Sequence, residues 1–164
     1  MKALIKKIIV AVNGSKQSEH AALYSILFAK QYKCELKAVY VVDTASLKQL
    51  TLGNFFYKEE SLKYEQNLEN DGEKYLKEVE NLAKSKGIKI QTELRKGSPW
   101  SEIIKSAEDF DADLIILGGK EHTSPSVSLI HDSASATNMD IVGNANCNVF
   151  VVRQNDVEKL FKLS

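Results

Sequence analysis

Residues 7–15, with the sequence KIIVAVNGS, decide the fold class because they join a buried strand to a turn and then to a helix. After its first lysine, Lys7–Val12 is continuously apolar and rich in β-branched residues, as a strand covered on both faces must be. Asn13-Gly14-Ser15 is typical of a turn. Apolar residues at 3.6-residue spacing follow, which predicts a helix with Ser18 as its N-cap. This unit predicts an α/β protein.

The same alternation of strand-like and helix-like segments continues to the end of the chain. Further strands are predicted at residues 36–42, 88–94, 113–117 and 149–152. Helices are predicted over residues 59–86, from Pro99 with Ser98 as N-cap, and over residues 133–142. Residues 44–57 show no clear period and are predicted to form a long connection. Residues 88–94 alternate between apolar and polar, which predicts a strand at or near an edge of the sheet.

Five strands alternating with helices predict one doubly wound parallel sheet with helices on both faces, because parallel neighbours require a right-handed crossover. The predicted domain covers residues 1–153 and is followed by a tail, residues 154–164. Val157, Leu160 and Phe161 recur at helical spacing in this tail, so it is predicted to form a short docked helix. Ligands of such sheets bind at the carboxyl ends of the strands. The first places to inspect are therefore residues 13–15, 41–43 and 118–119.

The composition excludes several classes of partner. Basic and acidic residues balance at 22 each, so no general electrostatic attraction to nucleic acid or anionic lipid is expected. No apolar run approaches the roughly 20 residues that cross a bilayer. We therefore expect a soluble, cytoplasmic protein that binds neither nucleic acid nor membrane. Cys34 and Cys147 lie far apart in sequence and are expected to be reduced, mostly buried thiols.

Three parts of the chain resemble the universal stress protein family. Residues 9–15 (IVAVNGS) are similar to the family's opening VAVDGS, and residues 147–152 (CNVFVV) are similar to its closing CPVLVV. The middle part, residues 97–104 (GSPWSEII) and 111–118 (DADLIILG), is the most specific of the three. The three parts follow one another along the chain in the family's order and spacing. The resemblance implies the strand order 3-2-1-4-5, with a crevice between the first and fourth strands.

Many members of that family bind ATP through a motif written G-x2-G-x9-G-[S/T]. Glycines in such a motif let main-chain amides approach the phosphates closely. Gly118 matches the first glycine, but Glu121 occupies the position of the second. Ser135 and Ala136 occupy the positions of the third glycine and of the hydroxyl residue. These departures predict that the phosphate site is degenerate.

The resemblance nevertheless implies a candidate nucleotide crevice, with ATP or ADP as the candidate cofactor. Its candidate residues are Ala11, Val12, Asn13, Val41, Gly118, Gly119, Ser135, Ala136 and Thr137. Val41 matches the adenine-contact position, whereas Asn13 stands where ATP-binding members carry an acidic residue. Asn13 either contacts a base or ribose or only closes the turn with Gly14. Gly118 and Gly119 form either a phosphate loop or a tight turn that leaves a buried strand.

Lys120 to Asp132 is rich in serine and is predicted to form a polar loop that proteases cut first. His122, His131 and Asp132 in this loop match no standard metal-ligand spacing, so no metal site is predicted. The loop serines either keep it soluble or, as the resemblance permits, serve as phosphorylation targets; they are Ser124, Ser126, Ser128 and Ser133. No Ser-His-Asp order, Cys-His pair or carboxylate pair indicates a catalytic set.

The resulting hypothesis is a non-catalytic, homodimeric stress-response regulator or binding module with a degenerate nucleotide crevice and an unidentified protein partner. The resemblance implies that the last strand, from Val149 to Val152, pairs with its copy in a second subunit. An ATP-binding switch that hydrolyses or autophosphorylates slowly is the alternative. A phosphoacceptor receiver domain is disfavoured. Such a domain requires a cluster of aspartates at the strand ends, and the first strand of this chain ends in Asn13.

Overall fold

The computed structural model describes residues 1–53, 57–119 and 133–164. The strands are β1 (Lys7–Val12), β2 (Glu35–Asp43), β3 (Gln91–Gly97), β4 (Leu114–Gly118) and β5 (Asn148–Val152). The helices are α1 (Lys16–Tyr32), α2 (Thr44–Leu52), α3 (Lys58–Ser85), α4 (Pro99–Phe110), α5 (Ser133–Asn144) and α6 (Val157–Leu163). No helix in these ranges is both long enough and apolar enough to cross a membrane.

The five strands form one parallel sheet in the order β3-β2-β1-β4-β5, which confirms the predicted fold class and order. β1 is central: Ile8 lies opposite Leu36 of β2 on one side and Leu114 of β4 on the other. Ile8, Ile9 and Val10 have no exposed surface. A continuously apolar strand therefore occupies the position where both faces are covered.

Alternate residues of β1 serve the two layers of the core. Ile8 and Val10 pack among side chains of α1, α3 and α6, whereas Ile9 packs among side chains of α4 and α5. The tail helix belongs to the first layer, since its Val157 is fully buried and its Phe161 is 8 % exposed. Full burial of a valine, isoleucine or phenylalanine side chain contributes about 1.5–3 kcal/mol to the free energy of folding.

The start of α1 differs from the prediction, because the N-cap is Ser15 and not Ser18. The Ser15 hydroxyl accepts a hydrogen bond from the Ser18 amide at 3.2 Å. Gly14 has a φ of 81°, which closes the turn within two residues and lets the helix begin at Lys16. Ser18 is instead buried in the first turn.

The prediction of a connection over residues 44–57 is also wrong, because Thr44–Leu52 is helical. Asp43 caps this helix: its Oδ1 accepts from the Ser46 amide at 2.9 Å and its Oδ2 from the Ser46 hydroxyl at 2.7 Å. Leu47 is the helix's one buried side chain. A single buried residue produces no periodic pattern, which explains why the helix could not be seen in the sequence.

β3 is an edge strand, as predicted, but it begins three residues later than residue 88. Ile88 lies in the turn that follows α3, where its amide donates to the Ala83 carbonyl of the helix at 3.0 Å. Pairing with β2 starts where Gln91 lies opposite Lys37. Glu93 of this edge strand is paired, because it accepts from Lys37 at 3.0 Å and from Ser106 at 2.6 Å.

Candidate functional site

A crevice of about 260 Å³ opens at the carboxyl ends of β1, β2 and β4. The first turns of α1 and α4 and the middle of α5 complete its walls. Its lining residues are Ala11, Val12, Asn13, Ser15, Gln17, Ser18, Val41, Asp43, Pro99, Ile103, Leu117, Gly118, Gly119, Thr137, Asn138 and Ile141. This is the position at which parallel α/β sheets bind ligands, where the strand order reverses between β1 and β4.

The crevice has an apolar floor and a polar rim. Leu117, Ile103 and Ile141 are buried side chains of the floor, and Ile141 has no exposed surface. Asn13 and Asp43 supply polar groups from the ends of β1 and β2. The apolar floor and few polar groups are features of small-molecule sites.

Asn13 closes the turn between β1 and α1. Its Oδ1 accepts from the Ser15 amide at 3.0 Å, and its own amide donates to the Ser18 hydroxyl at 3.1 Å. These bonds support the turn-closing interpretation of Asn13. The residue also lines the crevice, so a ligand contact through its side chain stays a prediction.

Gly118 is required by packing between β4 and α1. A Cβ at this position would lie 2.4 Å from the Gln17 carbonyl oxygen and 2.9 Å from the Ser18 amide nitrogen. Both atoms are main chain of α1, so they cannot move aside at small cost. The Gly118 carbonyl is also engaged, because it accepts from Asn138 Nδ2 of α5 at 2.7 Å.

Gly119 is engaged in the same way by the end of β5. Its amide donates to the Val152 carbonyl at 2.8 Å, and a Cβ would lie 2.6 Å from that oxygen. The Gly119 amide is therefore already used within the protein. The geometry of both glycines favours a tight exit from a buried strand over a phosphate loop.

Asp43 is the one charged residue among the described residues that line the crevice. Both of its carboxylate oxygens accept from Ser46, which fixes the carboxylate at the rim. Lys16 follows the lining residue Ser15 in sequence, but its ammonium pairs with Glu158 of α6 and with Glu19. The hydrogen bond to Glu158 raises the pKa of Lys16.

Most of the predicted crevice residues lie together. Ala11, Val12, Asn13, Val41, Gly118, Gly119 and Thr137 all line the crevice. Ala136 is exposed and is absent from the lining, whereas Glu121 and the Ser135 side chain lie outside the described part of the chain. Sequence reasoning missed Asn138 and Ile141. The one sequence signal for these two residues is that they lie within one helical turn of Thr137 in α5. The sequence does not show which face of α5 packs against β4.

The other candidate groups of the sequence lie elsewhere. His122, Ser124, Ser126, Ser128, His131 and Asp132 fall outside the described residues, whereas Ser133 is the first residue of α5. Among the described residues, no cluster of His, Cys, Asp and Glu fits a metal ion. Cys34 and Cys147 are both free and half-buried, and burial raises the pKa of each thiol. Cys147 lines a separate hollow of about 340 Å³ at the opposite, amino end of the sheet.

Comparisons with known proteins agree with the fold. The model of the universal stress protein family matches residues 4–153. A universal stress protein of Methanocaldococcus jannaschii is 36% identical over 152 residues, which cover 92% of this chain and 84% of that protein.

Two solved structures show the same fold. The universal stress protein UspA from Lactobacillus plantarum superimposes with a TM-score of 0.70 at 23% identity, covering 93% of this chain and all of that one. A universal stress protein from Archaeoglobus fulgidus, solved in complex with dAMP, superimposes with a TM-score of 0.57 at 16% identity, covering 92% and 100%.

Proposed function

This chain belongs to the universal stress protein family, and from that premise we propose that it is a non-catalytic, homodimeric regulator or binding module whose crevice is degenerate for nucleoside triphosphates. The observation that carries the proposal is the engaged amide of Gly119, the residue after the motif's first glycine, because this amide donates to Val152 and is not free to bind a phosphate. A stress-response role, a cytoplasmic location and an unidentified protein partner stay predictions from the sequence.

The charge at the rim supports the same conclusion. Two like unit charges about 4 Å apart repel by about 4 kcal/mol at an effective dielectric of 20. The Asp43 carboxylate places a negative charge in the crevice lining, so it would repel a phosphate that lay at such a distance from it. A loss of about 4 kcal/mol weakens binding by nearly three orders of magnitude.

The hydroxyls of the crevice support a non-catalytic role. A serine nucleophile needs a base within hydrogen-bond reach. The Ser18 hydroxyl donates to the Ser15 carbonyl at 3.0 Å, and the Ser15 hydroxyl accepts from the Ser18 amide. The described lining contains neither His nor Lys to act as a base. These hydroxyls hold the turn after β1.

The exposed edge at β5 supports a homodimer. Phe150 is 38% exposed and stacks on Tyr24 of α1, with 5.3 Å between ring centroids. Met139 and Val142 of α5 are also exposed large apolar residues. An edge strand that carries exposed apolar residues on it is an aggregation hazard. Pairing with a second copy across a two-fold axis covers the β5 edge of both copies.

Thermal unfolding with and without ATP and magnesium tests the proposal. Because the amides of Asn13, Ser15, Ser18 and Gly119 are engaged within the protein, millimolar ATP should leave the melting temperature nearly unchanged. A ligand at 100 times its dissociation constant adds about 2.7 kcal/mol, which would raise the melting temperature by several degrees. A saturable shift of that size, or release of phosphate from ATP, would refute the degenerate, non-catalytic crevice.

The alternative is an ATP-binding switch that hydrolyses or autophosphorylates slowly. The dAMP bound by the structural neighbour from Archaeoglobus fulgidus favours it. Incubation with radiolabelled ATP separates the two candidates, since only the switch incorporates label into the protein or releases labelled phosphate.

A further inference from the structure

We propose that the hollow at the amino end of the sheet binds an aliphatic amine, with its alkyl chain over an apolar floor and its ammonium group at the carboxylates of Glu108 and Asp111. The inference is independent of the proposed function, because this hollow and the crevice share no lining residue.

The hollow is large enough for a small organic ligand. Its volume of about 340 Å³ lies within the roughly 300–1,000 Å³ of pockets that hold drug-sized ligands. Helix α4 and the start of β4 supply one side, and the connection from α5 to β5 supplies the other. Ile104, Ala107 and Ile115 form the apolar floor, and each is at most 9% exposed. An alkyl chain that contacts this floor is removed from water, which favours its binding.

Two carboxylates line the same hollow, and the lining contains no basic residue. Glu108 Oε1 accepts from Asn146 Nδ2 at 2.7 Å. Glu108 Oε2 and both carboxylate oxygens of Asp111 have no hydrogen-bond or ion-pair partner within the part of the chain that the structure describes. Asp111 follows Glu108 by three residues, so the two side chains lie on one side of the end of α4. An ammonium group has three N–H donors to offer to these oxygens.

The end of α4 at this hollow is electrostatically unfavourable without a cation. The C-terminus of a helix carries a partial negative charge, which is stabilised by cations and not by carboxylates. α4 nevertheless has no basic residue in its last turn, and its C-cap is Asp111. Burial raises the pKa of the Cys147 thiol in the hollow, and the charges of Asp113 and Glu108 raise this pKa further. The electrostatic potential in the hollow is therefore negative and attracts a cation.

The chemistry of the lining favours an organic cation over a metal ion. Calcium and magnesium ions require about six or more oxygen ligands. Among the residues that the structure describes, no group of His, Cys, Asp and Glu is arranged to hold a metal. An alkylammonium ion resembles the lysine side chain, whose pKa of about 10.4 keeps it charged at pH 7. Such an ion carries the charge that matches the two carboxylates and the chain that matches the floor.

An NMR titration of the ¹⁵N-labelled full chain with n-pentylamine at pH 7 tests both the site and the ligand class. We expect saturable shifts of the main-chain amides of residues 107–112 and 146–147, and none at Gly118 and Gly119 of the crevice. 1-Pentanol has the same chain without the charge, and methylamine has the charge without the chain. Each should bind at least about fivefold more weakly than n-pentylamine. Shifts confined to other residues, or equal binding of either control compound, would overturn the inference.

Two variants test the role of the carboxylates. Glu108→Gln keeps an acceptor for Asn146 but removes the charge, and should weaken the binding of n-pentylamine about fivefold. Asp111→Asn should weaken it similarly, since asparagine tolerates the φ of 53° at this position. Asp109→Asn is the matched control: it removes the same charge from α4, but Asp109 pairs with Arg95 and is absent from the lining. Unchanged binding in Glu108→Gln and Asp111→Asn, or an equal loss in Asp109→Asn, would overturn the inference.

Discussion

The Nδ2 group of Asn138 donates to the main-chain carbonyl of Gly118 at 2.7 Å, and this bond joins α5 to the end of β4 beside the crevice. Both partners line the crevice, so the position of its α5 wall depends on this bond between two consecutive elements of the chain. The bond also satisfies a carbonyl at the end of the sheet.

Replacing Asn138 with alanine should lower the free energy of unfolding by about 1 kcal/mol, because the Gly118 carbonyl then loses its partner. Urea denaturation measures the change. Asn144→Ala is the matched control, since Asn144 Nδ2 donates at 2.8 Å to the Asp140 carbonyl within the same helix and at an exposed site. An equal loss in both variants would show that the bond to β4 has no special importance.

Replacing Gly118 with alanine should destabilise the protein by about 1–3 kcal/mol, since the new methyl group would overlap the main chain of α1 near Gln17. Gly143→Ala in α5 is the control. A Cβ there meets nothing within 4 Å, and alanine is the better helix former by about 1 kcal/mol. The melting temperatures should therefore move in opposite directions. A fall in both would contradict the steric explanation.

Asp113 should make stability depend on pH. Its Oδ2 accepts from the amides of Lys6 at 2.7 Å and Lys7 at 3.0 Å, and these bonds lower the pKa of Asp113. A lowered pKa contributes stability above the ordinary aspartate pKa of about 3.9, and that stability is lost as the pH falls through the folded-state value.

Asp113→Asn should therefore be less stable than the unsubstituted protein at pH 7, and the difference should shrink at pH 3. Denaturant melts at the two pH values measure it. Asp140→Asn removes an exposed carboxylate of α5 and serves as the control for charge. A difference for Asp113→Asn that is the same at both pH values would contradict the proposed cause.

The homodimer should be visible by light scattering after size-exclusion chromatography, at about twice 18.3 kDa. Phe150→Lys should shift the protein toward monomer, because it places a charge on the proposed edge-to-edge contact. Leu50→Lys is matched to it in exposure, since Leu50 and Phe150 are both 38% exposed, and it should remain dimeric. A monomeric parent protein at high micromolar concentration would exclude the pairing.

The sheet was predictable from the sequence because β1 and β4 contain continuous apolar runs and the segment before and into β3 alternates between apolar and polar residues. Ile8, Ile9 and Val10 signal a doubly covered strand by themselves, and the resemblance then supplies the strand order. The helix at Thr44–Leu52 was not predictable, since its capping residue Asp43 belongs to the preceding strand and it buries only Leu47. The predicted ends of helices and strands were wrong where a capping hydrogen bond or strand pairing determines them, as at the start of α1 and the start of β3.

The crevice residues at strand ends, such as Asn13 and Val41, could be predicted from the rule that ligands bind at the carboxyl ends of parallel strands. Asn138 could not, because its role depends on where α5 packs against β4. The engagement of the Gly119 amide could not be predicted either. It requires the end of β5, more than 30 residues away in the sequence, to lie beside it.

The packing of Gly118 against Gln17 changes what a glycine at this position can tell about other members of the family. Wherever α1 approaches the end of β4 this closely, a side chain is sterically forbidden whether or not a nucleotide binds. A motif search that scores this glycine as a sign of ATP binding would then count a requirement of the scaffold as a requirement of the ligand. The informative positions are those whose main-chain amides make no bond within the protein, and only coordinates identify them.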